Sequence, residues 1–100
     1  MKVRRRPQFD RDFAELVMRF KEQAGDAVAW RFVEAVENLI DLLSEHPLLG
    51  RERRDLTPEG VRSFVMSRFR NYLVFYRVSH NEVVFMRLRH GAMDLPTIFN

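Results

Sequence analysis

One hundred residues, of which 46% are hydrophobic, suffice for one domain with a single buried core. The absence of cysteine excludes disulfides and cysteine-ligated zinc, and it is typical of proteins that work in a reducing cytoplasm. No stretch approaches the roughly 18 apolar residues of a membrane span, and no apolar run follows the basic N-terminus as in a signal peptide. We therefore expect a soluble, cytoplasmic protein whose single domain spans residues 1–100.

The formal net charge is +3, and the charged residues are unevenly distributed. Residues 1–7 hold four basic groups and no acid, residues 8–59 hold seven basic and twelve acidic groups, and residues 61–100 hold six basic and two acidic groups. Most basic residues are arginine, whose guanidinium binds carboxylate or phosphate through two hydrogen bonds. A genome rich in arginine codons would give the same composition, so the arginine content alone does not identify a partner.

The first element is a short edge strand, predicted at residues 2–6. Pro7 ends it, and a proline next to several arginines is typical of a strand at the edge of a sheet. A nucleic-acid-binding arm is the alternative interpretation of these basic residues, but a solvated edge is the more common one.

Two amphipathic helices are predicted next. Helical spacing places the first between Gln8 and about Gln23, with an apolar face made of Phe9, Phe13, Leu16, Val17 and Phe20. The acidic residues Asp10, Asp12 and Glu15 lie near its start, where the helix dipole favours carboxylates.

Gly25 separates the two helices. Asp26 is predicted to cap the second helix, whose apolar stripe continues until Pro47. The joint is so short that the two helices must fold back on each other. Trp30 lies beside the stripe, and we expect it to cover the open end of the core.

Three strands are predicted after a connecting loop. The loop is assigned to residues 51–60, which are charged, aperiodic and interrupted by Pro58 and Gly60. The strands follow at about residues 61–66, 72–78 and 83–89, with connections short enough to make antiparallel hairpins. Gly91 ends the last strand, and the apolar residues of the tail, 92–100, predict a segment that docks on the body.

The element order β-α-α-β-β-β predicts a two-layer α+β fold, with the helical hairpin packed on one face of a mainly antiparallel sheet. Both alternating sets of residues in 72–78 and 83–88 are largely apolar, whereas one hairpin shields only one face. We therefore expect an apolar strip on the other face, surrounded by Arg62, Arg77, Arg87 and Arg89. A flexible segment with apolar and acidic side chains would complement that strip.

Several sequence segments give the chain a specific resemblance. They are HPLLGR after the second helix, GVRSF and FRNYLVFYRV in the next two strands, and MRLRHGAMDL at the end of the last. Together they resemble the ParE branch of the RelE/ParE toxin superfamily over almost the whole chain. The resemblance implies the toxin of a type II toxin-antitoxin pair, which halts growth until its antitoxin binds it. ParE-like members poison DNA gyrase, whereas RelE-like members cleave mRNA in the ribosome.

The residues favour the gyrase inhibitor over the ribonuclease. RelE-like toxins have a catalytic arginine at the start of the third strand, and the corresponding residue here is Tyr72. They also tend to have a histidine or tyrosine near the C-terminus, whereas this chain ends in TIFN. No catalytic residue is therefore predicted. A ribosome-dependent mRNA endoribonuclease is one alternative, and a small basic nucleic-acid-binding module is another, although no predicted helix has clustered basic residues.

His90 is the candidate for a general base, because an imidazole at a strand end can accept a proton near neutral pH. A structural role is favoured, since His90 lies in the RHGxxD ending that ParE-like sequences carry without nuclease activity. We place four residues of this ending on the surface that contacts the target: Arg89, His90, Met93 and Asp94. Met93 stands where the family commonly has arginine.

The resemblance also implies a partner. We expect a cognate antitoxin of the ribbon-helix-helix type, with a flexible C-terminal segment, in a hetero-oligomer with the toxin. Five strand residues are predicted to bind it: Arg62, Tyr72, Arg77, Phe85 and Arg87. Neither His46 nor His80 has a second ligand at a metal-binding spacing, so no metal and no cofactor are expected.

Overall fold

A computed structural model of the protein describes residues 1–56 and 60–91. The elements along the chain are β1 (Lys2–Arg5), α1 (Pro7–Ala24), α2 (Asp26–Glu45), β2 (Arg51–Glu52), β3 (Val61–Val65), β4 (Tyr72–Ser79) and β5 (Glu82–His90). Two helices pack on one mixed sheet, which confirms the predicted α+β class and its two layers. The short strand β2 is an addition to the predicted order.

The five strands form one sheet in the order β1-β5-β4-β3-β2. β1 runs parallel to β5, whereas all other neighbours are antiparallel. β1 is therefore an edge strand, as predicted, and it leads directly into α1. The predicted loop is wrong at its first two residues, because Arg51 and Glu52 pair with Ser63 and Arg62 and form the opposite edge.

The joint between α1 and α2 is a single residue, Gly25. Its φ of 91° is costly for other residues but readily adopted by glycine. The predicted capping role of Asp26 is wrong, because α2 begins at Asp26, Gly25 is the N-cap, and no side chain makes a capping hydrogen bond there. No helix in the described ranges is long and apolar enough to cross a membrane.

The main core lies between the helical hairpin and the sheet. Its fully buried side chains include Phe9 of α1, Phe32 of α2, Tyr76 of β4 and Phe85 of β5. Burial of one such aromatic side chain contributes about 2 kcal/mol. Trp30 is not part of this core: it is 66% exposed, so its predicted role as a cover is wrong.

The opposite face of the sheet carries a second apolar cluster, formed by Leu56, Val61, Phe75, Val84 and Met86. Each of these residues is at most 9% exposed. The predicted apolar strip on this face is therefore not open to solvent at these positions. A bulge contributes to the cluster, since Phe75 pairs with Arg87 and Tyr76 with Phe85, which leaves Met86 as the extra residue.

Candidate functional site

The predicted target surface includes the end of β5, which extends beyond the residues that pair with β1. β1 pairs only with residues 82–85 of β5, so no described strand flanks β5 on that side from Met86 onwards. Asp12 of α1 occupies this place, because its Oδ2 accepts a hydrogen bond from the backbone N–H of Leu88 at 3.0 Å. A side chain of α1 therefore closes part of the edge of β5.

The same carboxylate binds two arginines of β5. Asp12 Oδ2 accepts from Arg87 Nε at 2.8 Å, and Oδ1 accepts from Arg87 Nη2 at 3.1 Å and from Arg89 Nη1 at 3.4 Å. Burial opposes ionisation of Asp12, but the hydrogen bonds from Arg87 and Leu88 and the charge of Arg87 lower its pKa below 3.8. Asp12 is therefore ionised at neutral pH and balances part of the positive charge of β5.

His90 and Tyr72 lie opposite each other on β5 and β4. Their rings meet edge to face, with the centroids 5.1 Å apart and the planes at 84°. The Tyr72 ring also lies 5.6 Å from Phe20 and 5.8 Å from Phe32, measured between centroids. The start of β4 thus lies in an aromatic cluster beneath the hairpin, where an aromatic ring is stabilised and a cation would be desolvated.

Arg89 and His90 line a groove of about 190 Å³ beside α1, together with Asp12, Glu15 and Arg19. The structure therefore brings these two predicted target residues together. Met93 and Asp94, and the predicted docking of the tail, lie outside the described residues. The assignment of all four to the target surface stays a prediction. In the described ranges, no three His, Cys, Asp or Glu side chains are grouped so that they could hold a metal ion.

The five predicted antitoxin contacts do not form one surface. Phe85 is fully buried in the main core, so its assignment as a surface contact is wrong. Tyr72 packs in the aromatic cluster, and Arg87 binds Asp12. Their hydrogen-bonding and packing partners lie within this chain, which leaves less of each side chain for another protein.

The other two predicted contacts lie on β3 and β4. Arg62 Nη1 donates to the carbonyl of Gly50 at 2.7 Å, and Nη2 donates to Glu52 Oε1 at 3.2 Å. The Arg62 side chain therefore binds both the residue that precedes β2 and a residue of β2 itself. Arg77 is half-buried and lies opposite Val61. An antitoxin contact at Arg62, Tyr72, Arg77 or Arg87 stays a prediction.

Arg53 is a buried charged residue whose role the sequence did not reveal. It is 8% exposed, its Nη1 donates to Ser63 Oγ at 3.0 Å, and Nε and Nη2 donate to the two carboxylate oxygens of Asp55 at 3.1 and 2.9 Å. These hydrogen bonds lower the pKa of Asp55 below 3.8. The guanidinium also lies 5.9 Å from the centroid of the Phe75 ring. Arg53 therefore covers part of the second apolar cluster.

A solved structure described as the chromosomal ParDE TA system from P. aeruginosa shares the fold, with a TM-score of 0.77, 18% identity, and coverage of 90% of this chain and 95% of that one. Toxin ParE3 of Caulobacter vibrioides is 34% identical over 96 residues, which cover 93% of this chain and 88% of that protein. The family model for the ParE toxin of the type II toxin-antitoxin system, parDE, matches residues 3–95. This chain therefore belongs to the ParE toxin family, which confirms the resemblance.

Proposed function

We propose that this ParE-type toxin acts in the cytoplasm by binding DNA gyrase, without cleaving RNA, and that a cognate antitoxin neutralises it. The observation that carries the proposal is the packing of Tyr72 against Phe20, Phe32 and His90. RNA cleavage without a metal needs a base, an acid and a cation that stabilises the phosphate as charge develops. At the position that corresponds to the catalytic arginine of RelE-like toxins, this chain has a tyrosine within an aromatic cluster.

The arginines nearby do not replace that cation. Arg87 and Arg89 both bind the buried carboxylate of Asp12, so part of their charge is already balanced. A phosphate placed beside them would also be repelled by that carboxylate. These contacts favour a toxin that acts by binding over one that acts by catalysis.

The antitoxin part of the proposal follows from membership of a toxin-antitoxin family. We propose a partner of the ribbon-helix-helix type whose flexible C-terminal segment folds on the toxin, which gives a hetero-oligomer. The charge balance supports an acidic segment, because residues 61–100 hold six basic and two acidic groups.

Induced expression is expected to stop DNA replication and raise the DNA-damage response before protein synthesis falls. The reason is that the toxin acts on a topoisomerase and leaves translated mRNA intact. The measurement is sequencing of RNA ends after induction, combined with a supercoiling assay of purified gyrase with purified toxin. Abundant new RNA ends within translated codons, with normal supercoiling, would show that the ribonuclease alternative is right.

Two substitutions at His90 separate packing from chemistry. His90→Phe keeps a ring against Tyr72 and is expected to lose less stability than His90→Ala and to retain toxicity. His90→Ala removes the ring contact and is expected to cost about 1 kcal/mol of stability. Melting curves and growth assays of both variants give the answer. A stable but non-toxic His90→Phe variant would place the imidazole in contact with the target.

A further inference from the structure

A second groove, which we call the hairpin groove, lies between α1 and α2. Its volume is about 260 Å³, and it is lined by Val17, Met18 and Lys21 of α1 and by Asp26, Ala29, Trp30 and Val33 of α2. Trp30 and Met18 are 66% and 53% exposed. Two large apolar side chains thus face solvent beside a recess, which is typical of a binding surface.

The lining residues give each helix a second apolar stripe. On α2 they follow one another at intervals of three, one and three residues, and on α1 at intervals of one and three, so each set lies on one helix face. The stripe that packs on the sheet uses other residues, such as Phe9 on α1 and Phe32 on α2. A helix that packs only on a sheet needs one stripe, whereas a helix in a four-helix bundle contacts further helices.

The two charged residues of the hairpin groove have opposite signs and lie at the same end of the hairpin. Lys21 Nζ and Asp26 Oδ1 are 4.0 Å apart, and their side chains are 58% and 75% exposed. A surface with charges of a single sign would repel a copy of itself. A surface with one cation beside one anion can attract a second copy related by a two-fold axis, because each cation then faces the anion of the other copy.

We propose that two copies of this chain associate through their hairpin grooves and form a four-helix bundle. The two-fold axis lies in the interface and runs parallel to the helices, so that α1 of each copy packs on α2 of the other. Lys21 of each copy then faces Asp26 of the other. This association involves neither gyrase nor the antitoxin, so it is independent of the proposed function.

The same axis brings Trp30 of each copy onto α1 of the other. Trp30 lies four residues after the start of α2, and Met18 lies six residues before the end of α1. At 1.5 Å per residue, these positions are about 6 Å and 9 Å from the joint of the hairpin, which is nearly the same level. The indole of one copy therefore meets Val17 and Met18 of the other. Ala29 has a small side chain and leaves room for the ring.

The size of this face favours a reversible dimer. α1 has 18 residues and is therefore about 27 Å long, and two packed helices are roughly 20 Å wide. The face is roughly 500 Å² in projection, at the lower end of specific interfaces, which bury about 600–1,000 Å² per partner. Tryptophan is among the residues that contribute most to binding at such interfaces. We therefore expect a dissociation constant in the micromolar range.

Other occupants fit the hairpin groove less well. Nucleic acid would meet the carboxylate of Asp26 and those of Glu15 and Glu22 on the adjoining face of α1, which repel phosphate. An acidic protein segment would meet the same carboxylates. A second copy supplies a cation for Asp26 and an aromatic ring for the groove at once.

Trp30 reports on its own contact, because the chain has no other tryptophan. In a monomer the indole faces water, whereas in the proposed dimer it is covered. Raising the toxin concentration from roughly 0.1 to 100 µM should therefore shift the fluorescence emission to shorter wavelength and reduce quenching by acrylamide. Sedimentation equilibrium of the same samples should show the mass rising from 12.0 kDa towards twice that value.

Met18→Glu tests the apolar contact and keeps Trp30 as the probe. Met18 is exposed, so the variant is expected to fold with nearly the melting temperature of wild type. The added carboxylate would lose water against Trp30 of the other copy, and we expect the dissociation constant to rise about tenfold or more. Leu48→Glu is the matched control, because it adds the same charge at a side chain that is 69% exposed and outside the groove. It should change the dissociation constant by less than about threefold.

Paired cysteines test the orientation of the two copies. Lys21→Cys and Asp26→Cys are prepared as separate variants, and the chain has no cysteine of its own. Under mild oxidation their mixture should give a disulfide-linked dimer, because a disulfide needs Cα atoms about 4.4–6.8 Å apart and the proposed axis brings these two positions together. Either variant alone should give little dimer, since the axis places equivalent residues of the two copies on opposite sides of the interface.

Each measurement can overturn the proposal. A toxin that stays monomeric at about 100 µM, a mass increase without a change in Trp30 emission, or a Met18→Glu dimer as tight as the Leu48→Glu dimer would each do so. Equal disulfide yields from the mixture and from each variant alone would show that the two-fold arrangement is wrong. A shift in Trp30 emission that requires the antitoxin would assign the groove to that partner instead. The supercoiling assay with purified gyrase tests the proposed function separately, so the two failures are distinguishable.

Discussion

Asp12→Asn is expected to lower the free energy of unfolding by about 2–3 kcal/mol at neutral pH. Asp12 is 2% exposed and accepts hydrogen bonds from Arg87, Arg89 and the backbone of Leu88. Removing one partner of a buried ion pair costs about 3–5 kcal/mol, because the other charge stays buried without compensation. The side chains of Arg87 and Arg89 are 17% and 21% exposed, so water replaces part of the lost contact and reduces the cost.

The loss of unfolding free energy caused by Asp12→Asn should decrease as the pH falls. The pKa of Asp12 in the folded protein lies below its ordinary value of 3.8. A carboxyl with a depressed folded pKa contributes its full stability above the unfolded pKa, and that stability is lost as the pH falls through the folded pKa. The difference between wild type and Asp12→Asn should therefore be largest above about pH 5 and shrink below pH 4.

Urea unfolding of wild type and Asp12→Asn between pH 3 and pH 7 measures this difference. Asp10→Asn is the matched control, because Asp10 is on the same helix, is exposed, and binds Arg5 at 2.8 Å. We expect the control to change stability by less than about 1 kcal/mol. Equal losses for the two variants, or a difference that does not vary with pH, would show that Asp12 does not stabilise β5 through its charge.

Regular elements could be predicted from the sequence because their signals are local. Helical spacing of apolar residues gives α1 to within one residue at each end, and runs of aromatic and β-branched residues give β4 and β5 equally well. β2 has only two residues and no periodicity. It exists because Arg51 and Glu52 pair with β3, a contact that depends on the folded chain.

The sequence does not predict on which face of the sheet each strand side chain lies. Alternation places successive residues on opposite faces, but the two faces of β4 and β5 are both apolar, so the pattern does not say which one the hairpin covers. Phe85 turns out to lie on the hairpin side, and Val84 and Met86 on the other. The bulge opposite Phe75 and Tyr76 shifts the pairing by one residue, which the sequence does not reveal.

At the candidate site, the sequence indicates that Asp12 is buried but does not indicate which residue binds it. Asp12 lies three residues after Phe9 and directly before Phe13, so helical spacing places it on the buried side of α1. A buried carboxylate requires a partner, and that requirement could be inferred from the sequence. Its partner, Arg87, is 75 residues away along the chain. The choice among several arginines depends on the way α1 lies along the edge of β5, and only the structure shows this.

Gly50→Ala is expected to lower the free energy of unfolding by about 3 kcal/mol. A Cβ on residue 50 would lie 2.7 Å from Cε1 and 2.8 Å from Cζ of Tyr76, and it would also overlap the hydroxyl oxygen. Tyr76 cannot move aside easily, because it is fully buried. Its hydroxyl accepts the N–H of Gly50 at 2.7 Å and donates to the carbonyl of Pro47 at 2.7 Å. The variant therefore adds overpacking to the loss of buried hydrogen bonds.

The melting temperature should fall by roughly 15 °C, since 1 kcal/mol corresponds to about 4–8 °C in a domain of this size. Gly91→Ala is the control: a Cβ there would meet Leu73 Cδ1 at 3.2 Å, the end of a flexible side chain. We expect that control to cost less than about 1 kcal/mol. Thermal and urea unfolding of the two glycine variants give the comparison.

A double-mutant cycle with Tyr76→Phe identifies the cause of the Gly50→Ala effect. Tyr76→Phe alone removes the hydroxyl and leaves the N–H of Gly50 and the carbonyl of Pro47 without this partner, at a cost of about 1–3 kcal/mol. In that background the added methyl no longer meets the hydroxyl oxygen, so Gly50→Ala should cost at least about 1 kcal/mol less than in wild type. Strictly additive losses would mean that the two residues are not coupled. The destabilisation at Gly50 would then come from the backbone around β2 and not from the packing of Tyr76.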